Sequence, residues 1–260
     1  MTKFTHSLAT VAVLVILGSM FLMTGCSSDD DPVTPVPLAE VDSPYVPTEL
    51  DIALWETVLQ MDDLWRETDT IEYNLRTTKL PFPDTADQLM ENFQTIYETM
   101  DVDEYVKLMH PDFLTILQQQ TTDEFPDVGP TLDVLEEQQI HKYMFSGNDG
   151  ADPNGDFRPG VDGITFHLLE QMAAWEMSSG DDLIPDTEWA PFEVEFQFDR
   201  GQEYPTLNVE GTIKFYVTSV EFQFQSVDMQ FYQMIGQVDL TNSGKASEGN
   251  SWGTVKALYR

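Results

Sequence analysis

The segment Asp84–Leu117 constrains the fold most, because two helix signals and a strand follow one another with almost no spacer. Thr85 and Gln88 have the spacing of a capping box, and Ala86, Leu89, Met90, Phe93, Ile96, Tyr97 and Met100 then recur every three or four residues. This predicts one helix with a single apolar face. Asp101 and Glu104 open a second, shorter helix carrying Val102, Tyr105, Val106 and Met109. His110-Pro111 stops it, and Phe113–Leu117 reads as a strand. An apolar helical face of this breadth needs a second layer to cover it.

The residues that follow supply that layer as β-structure. Phe192, Val194, Phe196 and Phe198 alternate with Glu193, Glu195 and Gln197, so one side of the strand is buried and the other wet. Leu207, Val209, Ile213, Phe215 and Val217 keep the same period across Gly211. Phe222 and Phe224 follow, then Val227, Met229 and Phe231 after a shift of register. Ile164–Trp175 is a further apolar run, and Trp252–Tyr259 is expected to be a closing strand after a Gly/Ser/Asn turn at 241–251. Between these, Gln118–Pro130 reads as a polar loop, Asp133 with Glu136 caps a helix running to about Phe145, and Ser146–Gly163 is an irregular excursion rich in Gly, Asp, Asn and Pro. Helices first, then strand, helix and a series of antiparallel strands is an α+β order.

Upstream, Lys3 precedes the apolar run Leu8–Phe21, and Leu22-Met23-Thr24-Gly25 leads to Cys26, the only cysteine. This resembles the lipobox of a bacterial lipoprotein signal peptide, with Met23 where the pattern usually has Leu. The resemblance implies that residues 1–25 are removed and that Cys26 is lipidated, which leaves no thiol for disulfides, metals or nucleophilic chemistry. Ser27 and Ser28 after the lipid site imply export to the outer membrane. Residues 26–47 hold Pro32, Pro35, Pro37, Pro44 and Pro47 among acidic and small residues and read as an extended tether. Residues 48–83 form an accessory helix and linker: Thr48 and Asp51 open a stripe of Leu50, Leu54, Trp55, Val58, Met61, Leu64 and Trp65 suited to docking on a core.

The chain carries a formal charge of −34, with 12 Lys and Arg against 46 Asp and Glu. Such a surface repels nucleic acid and anionic head groups. There is no glycine-rich phosphate loop, paired helical histidine motif, Gly-x-Ser-x-Gly or basic stripe, so nucleotide and nucleic-acid functions are excluded as readings.

The element order, together with Tyr97-Glu98, Asp101–Tyr105, His110–Phe113 and the closing Trp252–Lys256 and Leu258-Tyr259, resembles the nuclear-transport-factor-2-like (SnoaL-like) superfamily over residues 84–260. The resemblance implies a curved antiparallel sheet wrapped around N-terminal helices as a cone, here with an extra N-terminal helix, and a pocket at the open end. It also implies that dimerisation through the sheet is available. Enzymes of that superfamily place Asp, His or Tyr inside the cone. By that analogy Tyr97, Asp112 and His167 are the catalytic candidates, against the plainer reading in which His110 ends a helix, His141 lies on a polar helical face and His167 is a partly buried strand residue.

A second constellation, Asn148, Asp149, Asp152, Asn154 and Asp156 among glycines, has the oxygen ligands calcium prefers, although the spacing matches no EF-hand and the same residues make turns. Trp175 and Trp189 flank an acidic turn and are either core or a stacking surface for a ligand. With no catalytic set, the sequence reads as a membrane-tethered, non-catalytic lipoprotein that binds a small apolar ligand or a partner protein and needs no cofactor. The alternatives are a lyase or isomerase working by general acid/base catalysis in the cone, and a calcium-stabilised surface protein.

Overall fold

The computed structural model describes residues 45–61, 75, 77–152, 155–240 and 250–260. The signal segment, Cys26, most of the tether, Leu64, Trp65, Asn154 and most of the 241–251 turn lie outside the described residues. Among the described residues no helix is long and apolar enough to cross a membrane.

Helix α1 (Glu49–Val58) starts with a complete capping box: Thr48 Oγ1 accepts the Asp51 N–H and the Asp51 carboxylate accepts the Thr48 N–H. The same carboxylate accepts the Phe82 N–H at 2.9 Å and the Tyr45 hydroxyl at 2.6 Å. Burial acts to raise the Asp51 pKa, but these hydrogen bonds outweigh it and hold the carboxyl below its ordinary range. Leu54, Trp55 and Val58 pack with Phe82, Phe222 and Phe231 in a cluster of their own. Asp51→Ala removes a cap and strands a buried N–H, so urea denaturation is expected to register a loss of about 2–3 kcal/mol. A loss within error would show that α1 is held by its apolar face alone.

Helix α2 (Ala86–Thr99) begins at Thr85, whose hydroxyl accepts the Gln88 N–H, and ends at Met100 in the left-handed region, φ 52°. Helix α3 (Val102–Leu108) is capped by Asp101. Strand β1 (Met109–Ile116) follows without a spacer, so Met109, expected in the helix, opens the strand, and Pro111 lies inside it. Proline is accommodated because the pairing of this strand is interrupted between Met109 and Leu114. Part of the expected loop is helix α4 (Gln119–Glu124), followed by β2 (Thr131–Asp133) and α5 (Val134–Phe145) with the Asp133/Glu136 capping box. The excursion contains a small hairpin, β3 (Gly150–Ala151) with β4 (Phe157–Arg158).

The remaining strands are β5 (Gly163–Gln171), β6 (Glu176–Met177), β7 (Glu188–Asp199), β8 (Leu207–Phe224) and β9 (Val227–Asp239). They join β1 and β2 in one sheet of order β2-β1-β9-β8-β7-β5, with β6 on β7. The expected antiparallel pairing holds for these strands except between β1 and β9, which run parallel. Register shifts interrupt the ladder in β1/β9, in β5/β7 at Phe166/Leu168 and in β8/β9 at Tyr216/Val217, and such irregularities bend and twist a sheet. The apparent register change before Val227 is a two-residue turn, Gln225-Ser226, with both φ values positive at 49° and 69°.

The segment 252–259 is not a strand. It is helix α6 (Trp252–Leu258), capped by Ser251, whose hydroxyl accepts the Thr254 N–H. Trp252, Val255, Lys256 and Tyr259 stand at helical spacing and are all buried, an arrangement that strand alternation cannot give. Alternation puts Phe215 on the helix side of β8, where it meets Phe93 of α2 at 5.3 Å between ring centroids. Tyr216 faces the other way, where Ile184 and Val238 cover it and Asp182 accepts its hydroxyl at 2.6 Å. The result is the expected α+β cone: an unclosed, bent sheet with α2 in its hollow and α6 packed into the same core.

Candidate functional site

The interior of the cone is where the resemblance places a pocket, and here aromatic side chains fill it. The Tyr97 ring lies 5.3–6.4 Å, centroid to centroid, from Tyr105, His141, Phe145, Phe166, Phe196 and Trp252. Among these rings runs a chain of polar groups contributed by α2, α3, β1, α5, β9 and α6. His141 Nδ1 lies 2.8 Å from the Glu137 carbonyl, which only accepts, so Nδ1 carries the proton and Nε2 accepts from the Tyr97 hydroxyl.

Glu137, one helical turn before His141, takes four hydrogen bonds. Its Oε1 accepts from the Tyr105 hydroxyl at 3.1 Å, Gln237 Nε2 at 3.0 Å and the Lys256 ammonium, and its Oε2 accepts from the Thr115 hydroxyl at 3.0 Å. Gln237 Oε1 in turn accepts from Trp252 Nε1 at 3.2 Å. No member of this network is more than 3% exposed.

Burial sets the charge states, modified by neighbours. Desolvation opposes ionisation of Glu137, but Lys256 and the hydrogen bonds it receives keep its pKa below the ordinary value. Burial lowers Lys256 to about 8 against the upward pull of Glu137, and lowers His141 to about 4. Tyr97 and Tyr105 are raised well above 10, chiefly by burial. At neutral pH the network therefore holds one anion, one cation, a neutral imidazole and two protonated phenols. Three of the four donors converge on Oε1 and the fourth on Oε2, so both carboxylate oxygens are held by neighbouring side chains in a fully buried site that solvent does not reach.

The sequence candidates do not converge. Tyr97 is at the centre of the cone, whereas His167 is exposed on β5 beside the register shift, and Asp112 is exposed with its N–H on His110 Nδ1 at 3.1 Å. Asp149 Oδ1 accepts the Gly160 N–H and Asp152 Oδ1 the Asp156 N–H, so both carboxylates brace the excursion. Among the described residues no three His, Cys, Asp or Glu side chains gather as a metal site, and Asn154 lies outside them. Trp175 donates to Asp87 at 2.8 Å and Trp189 lies under the Lys214 ammonium at 3.8 Å.

Glu137 and Lys256 escaped sequence reading, and His141, expected on a polar helical face, is instead fully buried. The one available signal was the i, i+4 spacing of Glu137 and His141 on the face that carries Ile140, Met144 and Phe145, a face that looks weakly apolar because polar groups occupy core positions. Outside the cone, an open cleft of about 550 Å³ lies beside the last turn of α5 and the β3–β4 hairpin.

No protein-family model and no curated protein matches this chain. Among solved structures, it is similar to a protein provisionally described as an aromatic ring hydroxylase from Novosphingobium aromaticivorans, with 12% identity, 60% of this chain and 85% of the other covered, and a TM-score of 0.38. It is similar to a nuclear transport factor 2 superfamily protein from Salmonella enterica, with 10% identity, 63% and 93% coverage and a TM-score of 0.37. A nuclear-transport-factor-2-like protein of unknown function from Shewanella oneidensis gives 9%, 59% and 93%, and 0.29. Scores this low carry no argument about function, and the cone stands on the chain's own sheet order and packing.

Proposed function

We propose that this protein is a non-catalytic binding domain held at the cell envelope by lipid on Cys26, in which the cone is a solid support and the outer surface does the binding. The observation that carries the reading is the buried network around Glu137: both of its carboxylate oxygens are held by neighbouring side chains out of reach of solvent, and α6 fills the hollow with Trp252 and Lys256. An apolar ligand inside the cone would have to displace side chains from a close-packed core, which is costly. General acid/base work needs a group within hydrogen-bond reach of substrate, and the imidazole and carboxylate here reach only each other's neighbours.

The test uses the full chain in detergent, offered a panel of steroid-like and polyketide-like substrates and an apolar fluorescent probe. Neither turnover nor saturable interior binding is expected. Turnover that disappears in His141→Ala would overturn the reading. For the anchor, palmitate labelling in a bacterial host is expected to disappear in Cys26→Ala.

A further inference from the structure

We infer that the cleft between the last turn of α5 and the β3–β4 hairpin binds a small organic anion bearing a carboxylate or phosphate-type group, with Arg158 and Lys142 as its counter-charges. The inference rests on the reading that the domain binds on its outside, and it names the ligand class for that surface.

Cations are scarce in a chain of formal charge −34, and most of those described are already matched. Lys79 meets Asp101, Lys107 meets Glu104, Lys214 meets Asp182, Lys256 meets Glu137 and Arg260 meets Glu136. Arg200 donates to the Pro205 carbonyl, and Arg158 and Lys142, which likewise have no carboxylate partner among the described residues, line the same cleft of about 550 Å³. That volume is in the range of small-molecule sites.

Arg158 is only 7% exposed, yet its Nε and Nη1 have no hydrogen-bond partner among the described residues. Its guanidinium lies 4.3 Å from the Tyr259 ring centroid and 6.0 Å from that of Tyr143. Aromatic faces attract a cation but do not take the in-plane hydrogen bonds of a guanidinium fork. A buried charge is ordinarily paired, and the fork suits the two oxygens of a carboxylate or phosphate.

The backbone makes room for this group: a Cβ on Gly150 would come within 2.3 Å of Arg158 Nη2. Tyr143, 46% exposed, adds an aromatic surface on the wall, and Asn148 adds an amide. Asp149 also lines the cleft and opposes an anion, but its Oδ1 is engaged by the Gly160 N–H at 2.9 Å and does not neutralise Arg158.

The full chain in detergent would be titrated calorimetrically at low ionic strength with inorganic phosphate and, separately, with benzoate. Saturable binding of at least one is expected, and the stronger of the two identifies the head group. Arg158→Met should abolish it without lowering the thermal midpoint, because the change removes an unpaired buried charge. Lys142→Ala should weaken it roughly tenfold. Three results would overturn the inference: binding of neither anion, binding unaltered in both variants, or a thermal midpoint in Arg158→Met that falls while binding persists. Absence of anion binding leaves the non-catalytic reading standing, whereas turnover lost in His141→Ala removes that reading whatever the anions do.

Discussion

Lys256→Met is expected to cost ~3–5 kcal/mol in urea denaturation, the scale seen when one partner of a buried ion pair is removed. Lys256 is completely buried, and its ammonium is the cation that balances Glu137. Without it, Tyr105, Thr115 and Gln237 still hold the carboxylate, but a full negative charge sits unbalanced among aromatic rings. The double variant Glu137→Gln/Lys256→Met should recover most of the loss. A glutamine at 137 is neutral and still offers an oxygen to the Tyr105 and Gln237 donors, and the methionine fills the lysine's volume. If the single variant instead loses only the ~1 kcal/mol of an ordinary hydrogen bond, the pair is neutral in the folded state and the proton has already passed to Glu137.

The contrast between what the sequence disclosed and what it hid has a physical cause. Local signals were legible where one element declares itself. The caps at Thr48, Thr85, Asp101 and Asp133 all form, and the alternation of Phe192–Phe198 places their rings on the sheet's buried face. α6 was misread because eight residues with only two polar side chains, Thr254 and Lys256, fit either period, and only tertiary packing chose the helical one. The parallel β1/β9 ladder joins residues more than a hundred positions apart, such as Thr115 and Gln237, for which no local pattern exists. The same holds for the interior network, since Glu137 and Lys256 look like solvated charges until six elements converge on them. Arg158 was invisible as a site residue because its significance is the absence of a carboxylate partner among the described residues, which depends on every neighbour at once.

Buried His141 also predicts how stability depends on pH. His141 has its pKa lowered to about 4 in the folded protein by burial, against an ordinary value of 6.5. Above pH 6.5 the imidazole is neutral in both states and its contribution is complete. Between 6.5 and about 4 the unfolded chain takes up a proton that the folded protein refuses, so stability falls with pH, by up to ~1.4 kcal/mol per unit and about 3 kcal/mol across the window. The wider charge balance acts in the opposite sense. As the many surface carboxylates protonate, the self-repulsion of a chain at −34 relaxes and favours the compact state. The informative quantity is therefore the difference between the wild type and His141→Gln, whose side chain is neutral throughout and whose amide oxygen offers the Tyr97 hydroxyl an acceptor. Denaturation series for both proteins should converge as pH falls from 6.5 towards 4, with the wild type losing stability faster. Parallel curves would mean that folded His141 takes up its proton at the same pH as the unfolded chain, and the burial-lowered pKa assigned to it would then be wrong.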